Sequence, residues 1–159
     1  MSAVHSLAPA KIIISGEHSV LFGSPAIACA VSRYAKVTIQ KRQEQGVIFH
    51  LHDIKQTVLS TVSALRRIRE RLIVSFREFS SGNLSIRQVL SSPWEVFQYS
   101  LISVLEACRL ELEHGLSINL QSTIPIGCGM GSSAATAVSF IKALSHYLNL
   151  DKGLDWLEK

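Results

Sequence analysis

The stretch PIGCGMGSSAAT, from Pro125 to Thr136, constrains this chain more than any other. Gly127, Gly129 and Gly131 fall on alternate positions, followed by Ser132, Ser133 and then Ala134 and Ala135. Glycine accepts left-handed backbone and close approach that a Cβ forbids. Upstream, Leu116 to Leu120 (LSINL) alternates apolar and polar residues, which predicts a strand. Downstream, Ser132 to Leu148 predicts a helix with Ala134, Val138, Ile141, Leu144 and Leu148 on one side. A glycine loop between a strand and a helix offers unpaired N–H groups and the positive end of the helix dipole. That combination binds phosphate and other anions. The two alanines allow the helix to pack closely, and the serine hydroxyls could meet a phosphate oxygen or a magnesium ion.

Two better-known phosphate loops fit less well. The nucleotide-binding pattern G-x-x-x-x-G-K-[ST] requires a lysine that is missing here. The dinucleotide pattern G-x-G-x-x-G/A does match Gly129, Gly131 and Ala134, and Asp151 follows about 20 residues on. No second strand delivers that aspartate, because ALSHYLNL continues the helix. A glycine-rich turn that caps a helix and holds nothing is the plain alternative for the loop taken alone.

The rest of the chain predicts a mixture of strands and helices. Lys11 to Ser15 (KIIIS) suggests a buried strand with a charged start. GEHSVLFGSPAIA follows as a loop punctuated by Gly16, Gly23 and Pro25. Ala35 to Lys41 alternates as a half-buried strand, and Gly46 could turn the chain into a strand at Val47 to Leu51, predicting a hairpin. From Ile54 to Phe79, apolar residues at Val58, Val62, Leu65, Ile68, Leu72, Phe76 and Phe79 predict one long helix. Arg66, Arg67, Glu70 and Arg71 lie off that stripe, either as a solvated face or as a contact for RNA or membrane. SSGN closes that helix at Ser80 to Asn83. Pro93 should start another near N1, running from Trp94 to about Glu113 and stopping at Gly115. The tail DKGLDWLEK reads as a loop and the first turn of a further helix.

Composition sets outer limits. The 159 residues are one domain's worth, with 47% hydrophobic and 18% charged residues, which describes a soluble globular chain. A net charge of +4 favours anionic ligands without singling out nucleic acid. Cys29, Cys108 and Cys128 lack metal-ligand spacing and suggest free thiols in a reducing compartment. Neither a signal-peptide pattern nor a run of about 18 apolar residues is present, so cytoplasmic location is the expectation. The histidine pair His50 and His52 is expected on one strand face, in packing rather than metal binding.

PIGCGMGSSAA closely resembles P-x-G-x-G-[LM]-G-S-S-A-A, the phosphate-binding signature of the GHMP kinases. The N-terminal block APAKIIISGEHSVLFGSPAIA, from Ala8 to Ala28, resembles the opening of the branch of that family acting on mevalonate. Ala10 replaces a more usual glycine and Phe22 a more usual histidine or tyrosine. The resemblance implies an α+β fold: a mixed sheet with helices on one side and a left-handed β-α-β crossover, as in the second domain of a ribosomal small-subunit protein. It implies ATP and Mg²⁺ as cofactors, a small-molecule substrate (mevalonate first), isoprenoid biosynthesis as the setting, no nucleic acid or membrane partner, and a possible homodimer.

The resemblance also implies roles for individual residues. Gly127, Cys128, Gly129, Met130, Gly131, Ser132 and Ser133 would cradle the ATP phosphates, with Ser132 also offering its hydroxyl to magnesium. Lys11 would stabilise negative charge developing at the reacting hydroxyl, making it the catalytic candidate. Glu17 and His18 would face the substrate. Asp53 falls near a nucleoside contact of the family, on a thin match. The family's magnesium-binding Glu and catalytic Asp come after the loop helix, and Asp151, Asp155 and Glu158 stand too early to replace them. The expectation is therefore that residues 1–159 form the family's N-terminal domain without its C-terminal one, and that the chain alone does not catalyse. Another GHMP kinase, acting on phosphomevalonate, galactose or homoserine, and a non-catalytic RNA-binding module of the same fold are the alternatives.

Overall fold

A computed structural model of the chain describes residues 3–150. Its strands and helices run β1 (Val4–Ser15), β2 (Ile27–Arg42), β3 (Val47–Leu51), β4 (Gln56–Ser60), α1 (Val62–Ser80), α2 (Glu95–Ala107), β5 (Gly115–Ser122) and α3 (Ser132–Tyr147). Hydrogen bonding orders the strands β1-β2-β5-β3-β4. Residues group into two compact units. One holds Gln40–Leu51 and Gln56–Ile118, and the other holds the chain up to Ile39, His52–Lys55 and the chain from Asn119.

In the second unit, β1 pairs antiparallel with β2, from Val4 opposite Ile39 to Ser15 opposite Ile27. Pro9 sits in β1, which is an edge strand, and the register shifts between Pro9 and Ala10. Proline has no N–H to give a ladder, so edges and bulges are where sheets tolerate it. Alternate residues Ser6, Ala8 and Ala10 are buried. Ala8 and Ala10 join Ala35, Ile124 and Ala135 in a core of small side chains, with Val31 and Met130 packed against it. Helix α3 packs on β1. It buries Ala135, Ser139, Phe140, Ala143 and Leu144, and the Ser139 hydroxyl donates to the Ser6 carbonyl at 2.9 Å. The expected face holds at Leu144, which is buried, but not at Val138, which is 60% exposed. Small residues on both partners let helix and strand approach closely, with Phe140 and Leu144 buried on the same helix.

The first strand also departs from expectation. Lys11 to Ser15 lies within β1, but Ile12 and Ile14 are exposed, not buried. The GEHSVLFG loop contains a 3-10 turn at Ser19–Phe22, and Gly16 has φ +88°. A Cβ on Gly16 would lie 2.6 Å from both the Ala26 Cα and the Pro25 carbonyl oxygen, so only glycine fits.

In the first unit, β3 occupies its expected residues but does not pair with β2. It pairs antiparallel with β4, Val47 opposite Ser60 through Leu51 opposite Gln56. The start of β5 takes the place beside the turn, where the Leu116 N–H donates to the Gly46 carbonyl at 3.0 Å. A Cβ on Gly115 would overlap the Glu44 carbonyl oxygen, so this close approach depends on glycine. Gly115 therefore opens a strand, not a helix stop. α2 ends earlier, at Ala107, where Arg109 takes φ 54° and the Leu110 N–H reaches back to the Leu105 carbonyl at 2.8 Å.

The long helix predicted from Ile54 is really strand β4 followed by α1. Thr61 divides them, its extended backbone ending the strand and its hydroxyl accepting from the Ala64 N–H at 3.2 Å. α1 and α2 pack together, burying Leu65 and Leu72 on one and Phe97, Leu101, Ile102 and Leu105 on the other. Each such aliphatic burial contributes about 1.5–3 kcal/mol. The arginines of α1 meet carboxylates of α2: Arg66 and Arg69 reach Glu106 at 3.6 and 3.1 Å, and Arg71 reaches Glu95 at 2.7 Å. His50 and His52 accompany Thr57 (3.3 Å) and Asn119 (3.4 Å), but His52 lies on a 3-10 turn and not on the strand. The expected final loop and helical turn, with Asp151, Asp155 and Glu158, lie outside the described residues.

Candidate functional site

The glycine loop belongs entirely to the unit formed around β1, β2 and α3. Its stem is tied down by Thr123 and Ser122, which the sequence did not single out, and by Asp53. The Tyr34 N–H donates to the Thr123 hydroxyl at 2.9 Å, and the Thr123 N–H donates back to the Tyr34 carbonyl at 2.9 Å. Asp53 accepts from the Ser122 N–H at 2.9 Å, and the Ser122 hydroxyl accepts from the Ile124 N–H at 3.0 Å. Ile124 then plugs into the alanine core. Asp53 thus braces the loop stem in this structure. The hint available in sequence was the hydroxyl pair Ser122–Thr123 at the end of a strand, a common means of ending one.

Beyond this anchor the backbone changes hand repeatedly. Gly127, Gly129 and Gly131 have φ of 79°, 70° and 73°, whereas Cys128 and Met130 do not enter the positive-φ region. Such alternation turns neighbouring N–H groups toward a common concavity. A Cβ on Gly127 or Gly129 would meet nothing within 4 Å, so space is open beside both. Their requirement for glycine is conformational, and the open side is room for a ligand. Cys128 is exposed, its thiol directed at the Ile126 carbonyl at 3.9 Å.

Gly131 is the N-cap of α3, and the first helical bond runs from the Ala135 N–H to the Gly131 carbonyl at 2.9 Å. Glycine has no side chain to cap the helix, and the first turn carries no carboxylate. The N–H groups of the first turn, flanked by the hydroxyls of Ser132 and Ser133, are therefore left for an incoming anion.

Lys11 is brought to this point by both backbone and side chain. Its N–H donates to the Met130 carbonyl at 3.1 Å. Its Cγ and Cε lie 3.3 and 3.5 Å from where a Gly131 Cβ would stand. The lysine stem thus runs along the bare Gly131 backbone, carrying an ammonium beside the N-terminus of α3. Among the described residues, no carboxylate pairs with Lys11. Met130 contributes differently from its neighbours, because its side chain packs on the alanine core and its carbonyl holds Lys11.

Glu17 and His18 stand on the tight turn that follows β1. The Val20 N–H closes onto the Gly16 carbonyl at 3.1 Å and the Leu21 N–H onto the His18 carbonyl at 3.2 Å. Both side chains are exposed and, among the described residues, neither has a hydrogen-bond or ion-pair partner. The structure thus joins Lys11 to the loop directly, and joins Glu17 and His18 to Lys11 only through the end of β1. No group of three or more His, Cys, Asp or Glu that could hold a metal ion occurs among the described residues. No helix among them is long and apolar enough to cross a membrane.

Residues 98–159 match the family described as GHMP kinases N terminal domain. A mevalonate kinase of Pyrococcus furiosus is 35% identical over 158 residues, covering 96% of this chain and 41% of that protein. The crystal structure of the Methanococcus jannaschii mevalonate kinase superposes with a TM-score of 0.70 at 28% identity, over 93% of this chain and 41% of that one. A Lactococcus lactis galactokinase complexed with galactose superposes at 0.67 with 14% identity, over 96% of this chain and 34% of that one, a likeness of fold alone. The chain therefore spans about two fifths of the length of the mevalonate kinases it matches.

Proposed function

Starting from its likeness to the GHMP kinases, which sequence and fold both show, we propose that this chain forms the phosphate-binding part of an ATP-dependent kinase whose acceptor is the 5-hydroxyl of mevalonate. One observation carries the reading furthest. A lysine without a carboxylate partner among the described residues lies along the glycine that opens α3. Phosphoryl transfer asks little covalent chemistry of a protein; it asks for positioning and for neutralisation of charge spread over the phosphate oxygens. The loop supplies the first through N–H groups held by left-handed glycines. Lys11 supplies the second.

In this reading the N–H groups from Gly127 to Ser133 hold the phosphates of ATP, and the open sides of Gly127 and Gly129 admit them. Ser132 would offer its hydroxyl to magnesium, which would supply neutralisation of phosphate charge. Lys11 stabilises the acceptor oxygen as it gains negative charge. Glu17 and His18, on a turn locked by Gly16, present a carboxylate and an imidazole to a hydroxy-acid substrate. Arg66, Arg69 and Arg71 of α1 favour this reading over an RNA-binding module, since Glu106 and Glu95 engage them.

The test is phosphoryl transfer by the native polypeptide carrying this sequence, purified from its source cells. It should phosphorylate mevalonate in preference to galactose, homoserine and phosphomevalonate, and Lys11→Ala should abolish turnover. Preference for any of the other acceptors would overturn the substrate assignment.

A further inference from the structure

Between α1 and α2, a recess of about 510 Å³ opens in the unit that does not contain the glycine loop. Leu72 and Phe76 of α1, Val96 of α2, and Ile86 and Leu90 of the connecting segment line it. Phe76 and Ile86 are 56% and 59% exposed, so large apolar surface is left facing water. Three ties brace the walls against collapse. Glu95 accepts from the Ser91 N–H at 2.8 Å while pairing with Arg71 at 2.7 Å, which fixes the entry to α2 against α1. Ser85 and Gln88 cap the short turn through Ile86 reciprocally, side chain to backbone at each end. The recess is thus a held shape and not a gap between loose side chains.

Its charge is equally specific. Arg66, Arg69 and Arg71 are matched by carboxylates of α2, but Arg77, which lines the recess, has no carboxylate partner among the described residues. An apolar recess with one unpaired arginine among its lining residues is complementary to an aliphatic chain that ends in an anion. We propose that this recess binds a soluble single-chain amphiphile, its alkyl tail against Phe76, Ile86 and Val96 and its carboxylate or phosphate head on Arg77.

The whole chain would be titrated calorimetrically with dodecanoate, dodecyl phosphate and dodecyltrimethylammonium, each below its micelle concentration. Saturable binding of the two anions at one site, tighter than that of the cation, is expected; comparing the two anions tells which head group is preferred. Arg77→Gln should weaken the anions about tenfold and leave the cation unchanged, as loss of one charge-assisted hydrogen bond requires. Arg77→Lys should restore part of the loss. Val96→Phe, at a partly exposed position, should fill the recess and remove binding of all three while circular dichroism stays native. Equal binding of anion and cation, or indifference to Arg77→Gln, would overturn the proposal. So would absence of binding together with self-association that Phe76→Asp abolishes, since the recess would then be a contact between two copies. The ATP reading plays no part in this test, and neither result depends on the other.

Discussion

The α1–α2 pair and the glycine loop treat their polar groups in opposite ways. Along α1 three of the arginines meet two glutamates of α2, and Gln98 donates to the Ser60 hydroxyl at 2.7 Å in the interior. Around the loop, satisfaction stops at the stem. Thr123, Ser122 and Asp53 each hold backbone there, while the hydroxyls of Ser132 and Ser133 and the Lys11 ammonium have no protein partner among the described residues. Matched charges fix a structure and are worth little more. A lysine, two hydroxyls and a helix N-terminus left unmatched on one bare stretch of backbone do nothing for stability, and are what an anionic ligand needs.

The glycines divide along the same line, and the largest expected effect tests it. Gly115→Ala drives a Cβ into the Glu44 carbonyl, a backbone atom that cannot rotate away, and should cost about 3 kcal/mol in chemical denaturation. A loss under about 1 kcal/mol would show that the strand start is looser than the geometry states. Next, Glu95→Gln strips Arg71 of its counter-charge while sparing the bond from the Ser91 N–H. With Arg71 partly in solvent, about 1–2 kcal/mol of stability should go. A double-mutant cycle with Arg71→Gln should recover most of that loss as coupling, and additive losses would break the claim of pairing. Gly129→Ala should cost only about 1 kcal/mol, the strain of left-handed backbone in open space, yet should impair anion binding out of proportion. Equal scaling of stability and binding would erase the distinction between the two regions.

The smallest effect is alkaline. Burial pushes the Tyr147 hydroxyl above its ordinary value of 10.0. The folded state then holds this proton more tightly than the unfolded state does. Its contribution is complete below pH 10.0 and is lost as pH rises through the folded value. Tyr147→Phe should flatten that part of a stability–pH curve, and an unchanged slope would remove Tyr147 as its source.

Local chemistry was legible in sequence to the extent that it was local. The bounds of β3 and the start of α3 follow from Gly46 and Gly131, which set backbone geometry by themselves. The union of Lys11 with the loop followed from family likeness, because the two are more than a hundred residues apart. What failed was decided at a distance. Val58 continues the spacing of Val62 and Leu65, so β4 was absorbed into the helix; only pairing with β3 reveals it as a strand. The hairpin expected across Gly46 lost to β5, a strand that arrives 64 positions after the end of β3. The face of α3 was misjudged because Ala135, Ser139 and Ala143 owe their burial to the equally small Ser6, Ala8 and Ala10, not to their own hydrophobicity.

The central claim is that Lys11 and the loop together hold a polyphosphate, and calorimetric titration of the chain with Mg·ATP and with inorganic triphosphate tests it most directly. The account predicts saturable binding of both. It also predicts that Lys11→Ala weakens each at least about tenfold while the melting temperature stays unchanged, because Lys11 is exposed and unpaired. Binding that ignores Lys11→Ala, or no binding of either ligand by the native chain, would contradict it.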